Sequence, residues 1–160
     1  MKISTITISA LLALSAATAV YAGSGPAGHS HAATTAFGEP GDAKKPARLV
    51  LVTAREADGK MSFTPSELAV KAGEQIRFKI TNHGELDHEF VLGTAEEIAE
   101  HAEIMKKNPD MEHADPSSVR LKTKGNGEIL WKFTKAGEFV FACLIPGHME
   151  SGMIGKVAVK

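Results

Sequence analysis

The stretch FVFACLIPGHMESGM, residues 139–153, decides how this chain is to be read. Its first half alternates. Phe139, Phe141 and Cys143 fall on one side of an extended segment, so the single cysteine of the chain emerges at the end of a strand, on the side of the core. The second half is a loop that places His148 and then Met153 at equal spacings after Cys143. Residues 154–159, with Ile154, Val157 and Val159, supply a closing strand. A thiolate, an imidazole and a thioether on one loop are soft to borderline ligands. With a second imidazole they form the set that suits a copper ion cycling between Cu(II) and Cu(I). That second imidazole has to come from elsewhere in the chain.

Working upstream, residues 128–133 read as a strand containing Trp131, a core or sheet-face residue, and Lys135-Ala136-Gly137 turns the chain into the cysteine strand. Residues 75–82 alternate cleanly, burying Ile76, Phe78 and Ile80, and end at Asn82-His83-Gly84. Residues 86–92 form a second short strand in which His88, Phe90 and Leu92 share one face. A histidine in that position is either a hydrogen-bonded core residue or a ligand. Beside a loop that lacks one imidazole, His88 is the best candidate, and His83, next to Gly84 in the turn, is its more exposed rival. Residues 49–52 and the segment carrying Phe63, Leu68 and Val70, punctuated by Pro65, read as further strands.

Residues 94–107 change to helical spacing. Thr94 and Glu97 form a capping-box pair, Ile98, His101, Ala102 and Met105 share one face, and Asn108-Pro109 ends the helix. His101 and Met105 are neighbours on that surface, and Met111 and His113 follow in the loop. These residues either build a second, weaker copper site or simply pack.

At the start of the chain, Lys2, an apolar segment over residues 6–20 and Val20-Tyr21-Ala22 have the form of an export signal cut after about Ala22. A membrane anchor fits less well, because the run is short, broken by Ser and Thr, and followed by no basic cluster. These residues therefore predict an exported protein with no membrane span after cleavage. Residues 23–46 are rich in Gly, Ala, Ser, Thr, Pro and His with almost no large apolar side chain, and are expected to form a flexible arm that carries His29 and His31. Residues 47–160 are long enough for one domain.

Against 19 Asp and Glu there are 18 Lys and Arg, for a net charge of −1, which leaves no clustered basic excess for nucleic acid or anionic lipid. One cysteine excludes an intramolecular disulfide, and a metal bond would protect the thiol in an oxidising compartment.

The export signal, the strand pattern, the segment from Asn82 to Phe90 and the loop bearing Cys143, His148 and Met153 resemble the cupredoxins, the small type 1 copper proteins that include plastocyanin and azurin. The resemblance covers residues 48–160. The His-bearing arm, the inserted helix and Met111-Glu112-His113 look more particularly like periplasmic cupredoxins of bacterial copper tolerance. The resemblance implies an all-β Greek-key sandwich of seven or eight strands with one inserted helix. It also implies a single type 1 copper held by His88, Cys143 and His148, with Met153 as the weak axial ligand. Met149 is the rival for the axial position, but it directly follows His148, which makes reaching the same metal awkward.

Two functions follow from such a site: a monomeric periplasmic copper-binding protein serving copper tolerance, passing copper or electrons to a protein partner, or a dedicated one-electron carrier between redox enzymes. Enzymatic readings fare worse. No Asn or Asp motif marks an orienting group for a Cys143–His148 nucleophile pair, a thioether is a poor zinc ligand, and one domain lacks the further histidine clusters of a copper oxidase.

Overall fold

The computed structural model describes residues 35–109, 111 and 115–160. The export signal, His29, His31 and His113 lie outside the described residues. Among the described residues there are ten strands and one helix: β1 (Gly38–Pro40), β2 (Arg48–Ala57), β3 (Lys60–Thr64), β4 (Glu67–Val70), β5 (Gln75–Asn82), β6 (His88–Gly93), α1 (Ala95–Lys107), β7 (Ser118–Leu121), β8 (Asn126–Phe133), β9 (Gly137–Ala142) and β10 (Ile154–Val159).

They form two five-stranded sheets, ordered β1-β8-β5-β2-β3 and β4-β10-β9-β6-β7. The two sheets make a Greek-key sandwich. The alternation read from the sequence decides what lies between them: Val50, Val52 and Ala54 of β2, Ile76, Phe78 and Ile80 of β5, and Ile129, Trp131 and Phe133 of β8 meet Phe90 and Leu92 of β6, Phe139 and Phe141 of β9, and Val157 and Val159 of β10. Burial of this apolar surface is the main stabilising term for such a core.

Strand β6 is buried at every position. Its second face is covered by α1, whose Ile98, Ala102 and Met105 pack on Val91, Ala142 and Leu144. The helix begins as its sequence predicts. Thr94 caps it, accepting from the Glu97 amide at 3.1 Å while the Glu97 carboxylate accepts from the Thr94 amide at 2.8 Å. Met105 is wholly buried in this cluster, packed with Ile98 and Ala102.

Two expectations are corrected. The strand count is ten among the described residues rather than seven or eight, because β1 and β7 are too short for their alternation to show. The arm expected over residues 23–46 is ordered in the described part, from residue 35. Its one large apolar side chain, Phe37, inserts into the core and stacks on Trp131, with ring centroids 4.9 Å apart. Gly38 and Pro40 lie opposite Phe133 and Trp131 on β8, and a β-carbon on Gly38 would come within 2.5 Å of the Trp131 indole nitrogen. Gln75 then anchors the following turn, accepting from the Asp42 amide at 2.7 Å and donating to the Asp42 carbonyl at 3.0 Å.

Candidate metal centre

Strands β6 and β9 are neighbours in one sheet, with Leu92 opposite Phe141. This pairing brings His88, at the start of β6, to Cys143, just past the end of β9. Both side chains point into the sandwich, below them Phe90 and Phe141 stack, and both are fully buried.

The loop then folds back. His148 donates its amide to the Ile145 carbonyl at 3.0 Å, Met153 donates its amide to the His148 carbonyl at 3.1 Å, and the Cys143 amide reaches the Met153 carbonyl at 3.0 Å. Gly147 and Gly152 make this path with φ of +89° and +102°, a region that side-chain-bearing residues rarely adopt. At Gly152 a β-carbon would also press on the Met61 carbonyl oxygen at 3.1 Å.

The result is a convergence of lone pairs. The Nδ1 atoms of His88 and His148 lie 3.2 Å apart, the Cys143 Sγ is 3.4 Å from the His148 Nδ1, and one ligand atom from each of the three residues falls within a 4.8 Å cluster. Among the described residues it is the one such grouping of His, Cys, Asp and Glu. Of the three, only His148 reaches solvent, at 9% exposure.

Burial keeps charge off the Cys143 thiol and the His148 imidazole. Burial pushes the Cys143 thiol up to about 12, only partly opposed by amide hydrogen bonds from Ile145 and Glu89; the Glu89 amide lies 3.3 Å from Sγ. Burial, and then the nearby His88, hold the His148 imidazole below its ordinary value. Buried sulfur and imidazole side chains of this kind fit a borderline to soft metal ion, which would displace the thiol proton and could be held by Cys143, His88 and His148.

The rival candidates occupy different surroundings. His83 is exposed in the turn after β5, and its carbonyl accepts from Lys124. Met153 is fully buried in the inter-sheet core with Cys143, whereas Met149 is half-buried against the α1 cluster on the other face of the sheet.

One participant escaped the sequence reading. Glu56 Oε1 accepts from His88 Nε2 at 2.7 Å, and its carboxylate also receives the amides of Glu85 at 3.0 Å and Leu86 at 3.1 Å. Burial alone would raise this carboxyl, but the hydrogen bonds from Glu85, Leu86 and His88 hold it below the ordinary range. The signal was in the alternation of β2. Val50, Val52 and Ala54 face the core, so the same period carries Glu56 to the inner face at the end of the sheet.

Comparison with known proteins agrees with this geometry. Residues 50–160 match the family of copper binding proteins described as the plastocyanin/azurin family. The chain is 51% identical to the copper-resistant cuproprotein CopI of Rubrivivax gelatinosus, across 86% of this chain and 82% of that protein. It is 35% identical to the CopI of Pseudomonas aeruginosa, across 78% and 83% respectively. Among solved structures, auracyanin B superposes with a TM-score of 0.62 at 24% identity, covering 78% of this chain and 96% of that one, a likeness of fold. This chain, with two imidazoles and a thiolate gathered at one end of a β-sandwich, belongs to the plastocyanin/azurin family of copper binding proteins.

Proposed function

We propose that His88, Cys143 and His148 hold a single type 1 copper ion, with the Met153 thioether as a weaker fourth ligand, in an exported periplasmic protein that serves copper tolerance. The observation that carries the site is the convergence of His88 Nδ1, His148 Nδ1 and Cys143 Sγ within 4.8 Å in a buried pocket. The names of the CopI relatives support the tolerance role. The Lys2-led apolar segment supports export, and no helix among the described residues is long and apolar enough to cross a membrane.

Bound copper supplies one-electron chemistry between Cu(II) and Cu(I). The residues of this chain do the rest. The paired strands β6 and β9 and the hydrogen-bonded loop hold the donors in place, the Glu89 amide stabilises negative charge on Cys143 Sγ, and burial excludes water from the sulfur. In this reading the protein is a monomeric binding and carrier protein rather than an enzyme.

A dedicated electron carrier is the second reading. It is favoured by the position of His148, which reaches solvent beside half-buried Ile145 and exposed Pro146.

The test of the site is a visible-absorption titration of the mature protein with Cu(II) beside Cys143→Ser. An intense charge-transfer band saturating at one copper, absent from the variant, is expected; no band in either protein overturns the assignment. Growth of a deletion strain on graded copper then separates the roles. Copper sensitivity supports tolerance, and unchanged growth with a lost respiratory electron flux supports the carrier.

A further inference from the structure

We propose that Glu56 is a positioning residue of the metal centre, which fixes the nitrogen that His88 turns toward the metal and biases the site toward Cu(II) over Cu(I). The inference rests on the copper reading above.

The geometry of His88 has two sides. Its Nδ1 faces His148, and its Nε2 lies 2.7 Å from Glu56 Oε1. A carboxylate already receiving two backbone amides can only accept, so the proton of the neutral imidazole resides on Nε2 and the Nδ1 lone pair is left for the metal.

The carboxylate is seated by a built cradle rather than by chance proximity. Glu85 and Leu86 present their amides to it. Gly84 leaves the space it occupies, since a β-carbon there would lie 2.6 Å from the Glu56 carboxyl carbon and closer still to both oxygens. Asn82 sets this turn, accepting the Gly84 amide at 2.8 Å and donating to the Leu86 carbonyl at 2.7 Å.

Glu56 also sits on the hairpin that braces the ligand loop. It lies opposite Met61 in the β2–β3 register, and the Met61 amide donates to the Ser151 carbonyl at 3.1 Å. One hairpin end therefore touches both sources of donors, the His88 strand and the loop that carries His148. An anion held against a ligating imidazole stabilises the more highly charged metal ion.

The test uses the mature protein with Glu56→Ala, Glu56→Gln and Gly84→Ala. In copper-free wild type, 15N shifts of His88 are expected to show the Nε2-protonated tautomer, and in Glu56→Ala a mixture. With copper, Glu56→Ala is expected to weaken Cu(II) binding about 10- to 100-fold, the range for loss of a partner behind a metal ligand. Cu(I) binding should weaken less, and each tenfold difference between the two raises the reduction potential by about 59 mV.

Glu56→Gln keeps an acceptor oxygen but not the charge. It should raise the potential while leaving the tautomer largely in place, and it serves if Glu56→Ala does not fold. Gly84→Ala should shift the potential in the same direction in wild type and have no further effect in the Glu56→Ala background.

An unchanged His88 tautomer and potential in the Glu56 variants overturn the inference, as does a Gly84→Ala effect that persists without Glu56. A wild type with no thiolate-to-copper band would instead overturn the copper reading, and the tautomer measurement on the copper-free protein would still decide whether Glu56 controls His88.

Discussion

Phe90 and Phe141 stack with ring centroids 4.9 Å apart and planes inclined by 22°, and each lies two residues along its strand from a donor, His88 in one case and Cys143 in the other. The stacked pair therefore packs across these two hydrogen-bonded strands directly beneath the candidate metal centre. Phe63 meets both rings edge-on, at 5.3 and 5.6 Å. Truncation of Phe90 to Ala should destabilise the copper-free domain by about 3–5 kcal/mol, the range for emptying a buried aromatic position. Urea denaturation of the copper-free protein measures it; a loss well below that range would mean that the strands are registered by their backbone ladder alone.

Phe37→Ala probes the N-terminal edge. Phe37 lies against Trp131 and against Phe139, at 4.9 and 5.5 Å between centroids, and it is the large apolar side chain that holds β1 to β8. The variant should lose about 3–5 kcal/mol by the same argument. Hydrogen exchange should show the Gly41 amide, which donates to the Leu130 carbonyl at 2.8 Å, losing protection before the amides of β5. Uniform loss of protection across both strands would show that β1 is not a separately held edge.

Two glycines of the ligand loop should differ in their tolerance of a methyl group. Both have positive φ, but a β-carbon at Gly147 meets nothing within 4 Å, whereas one at Gly152 presses on the Met61 carbonyl at 3.1 Å. Gly147→Ala should cost about 1 kcal/mol from backbone conformation alone. Gly152→Ala should cost more and should also alter the charge-transfer spectrum, since Gly152 precedes Met153. Equal costs and equal spectra would refute the distinction.

Acid stability has a contribution far from the metal centre. Glu74 accepts from Arg48 Nε at 2.6 Å, and the guanidinium, with the Lys71 amide, holds its carboxyl below the usual range in the folded protein. Because its folded pKa is depressed, the stabilisation is present above the unfolded value and lost as pH falls through the folded one. The pair is partly exposed, so the contribution is about 1 kcal/mol or less. Glu74→Gln should lower stability at pH 6 by that amount and leave it unchanged at strongly acid pH, as measured by denaturant titration of the copper-free protein. A deficit that persists in acid would mean the residue acts through packing.

Much of this arrangement was legible in the sequence because the period of a half-buried strand shows directly in residue order. Residues 75–82 and 154–159 coincide with β5 and β10, and the Thr94–Glu97 pair marks the helix start. The cysteine loop was legible for a different reason: its donors are close in sequence, so spacing alone groups them. What stayed hidden depends on tertiary contact. Phe37 sits in a Gly- and Ala-rich tract whose composition argues for disorder, and only the groove beside Trp131 makes it a core residue. β7 has four residues, too few for a period to emerge. Glu56 looks like any exposed strand-end carboxylate until the turn at Gly84 closes over it.

The hydrogen-bonded loop over residues 143–153 carries Cys143, His148 and Met153 on one short run of chain, while His88 arrives only when β6 pairs with β9. An unfolded chain therefore still offers a sulfur-and-imidazole tether of its own to a copper ion. Since a metal that also binds the unfolded state stabilises the fold by less than its affinity for the native state implies, the rise in melting temperature on loading should understate how tightly the native pocket holds its ion. In the proposed site, what folding adds to that linear chelator is the His88 imidazole, brought from a distant strand and held in place.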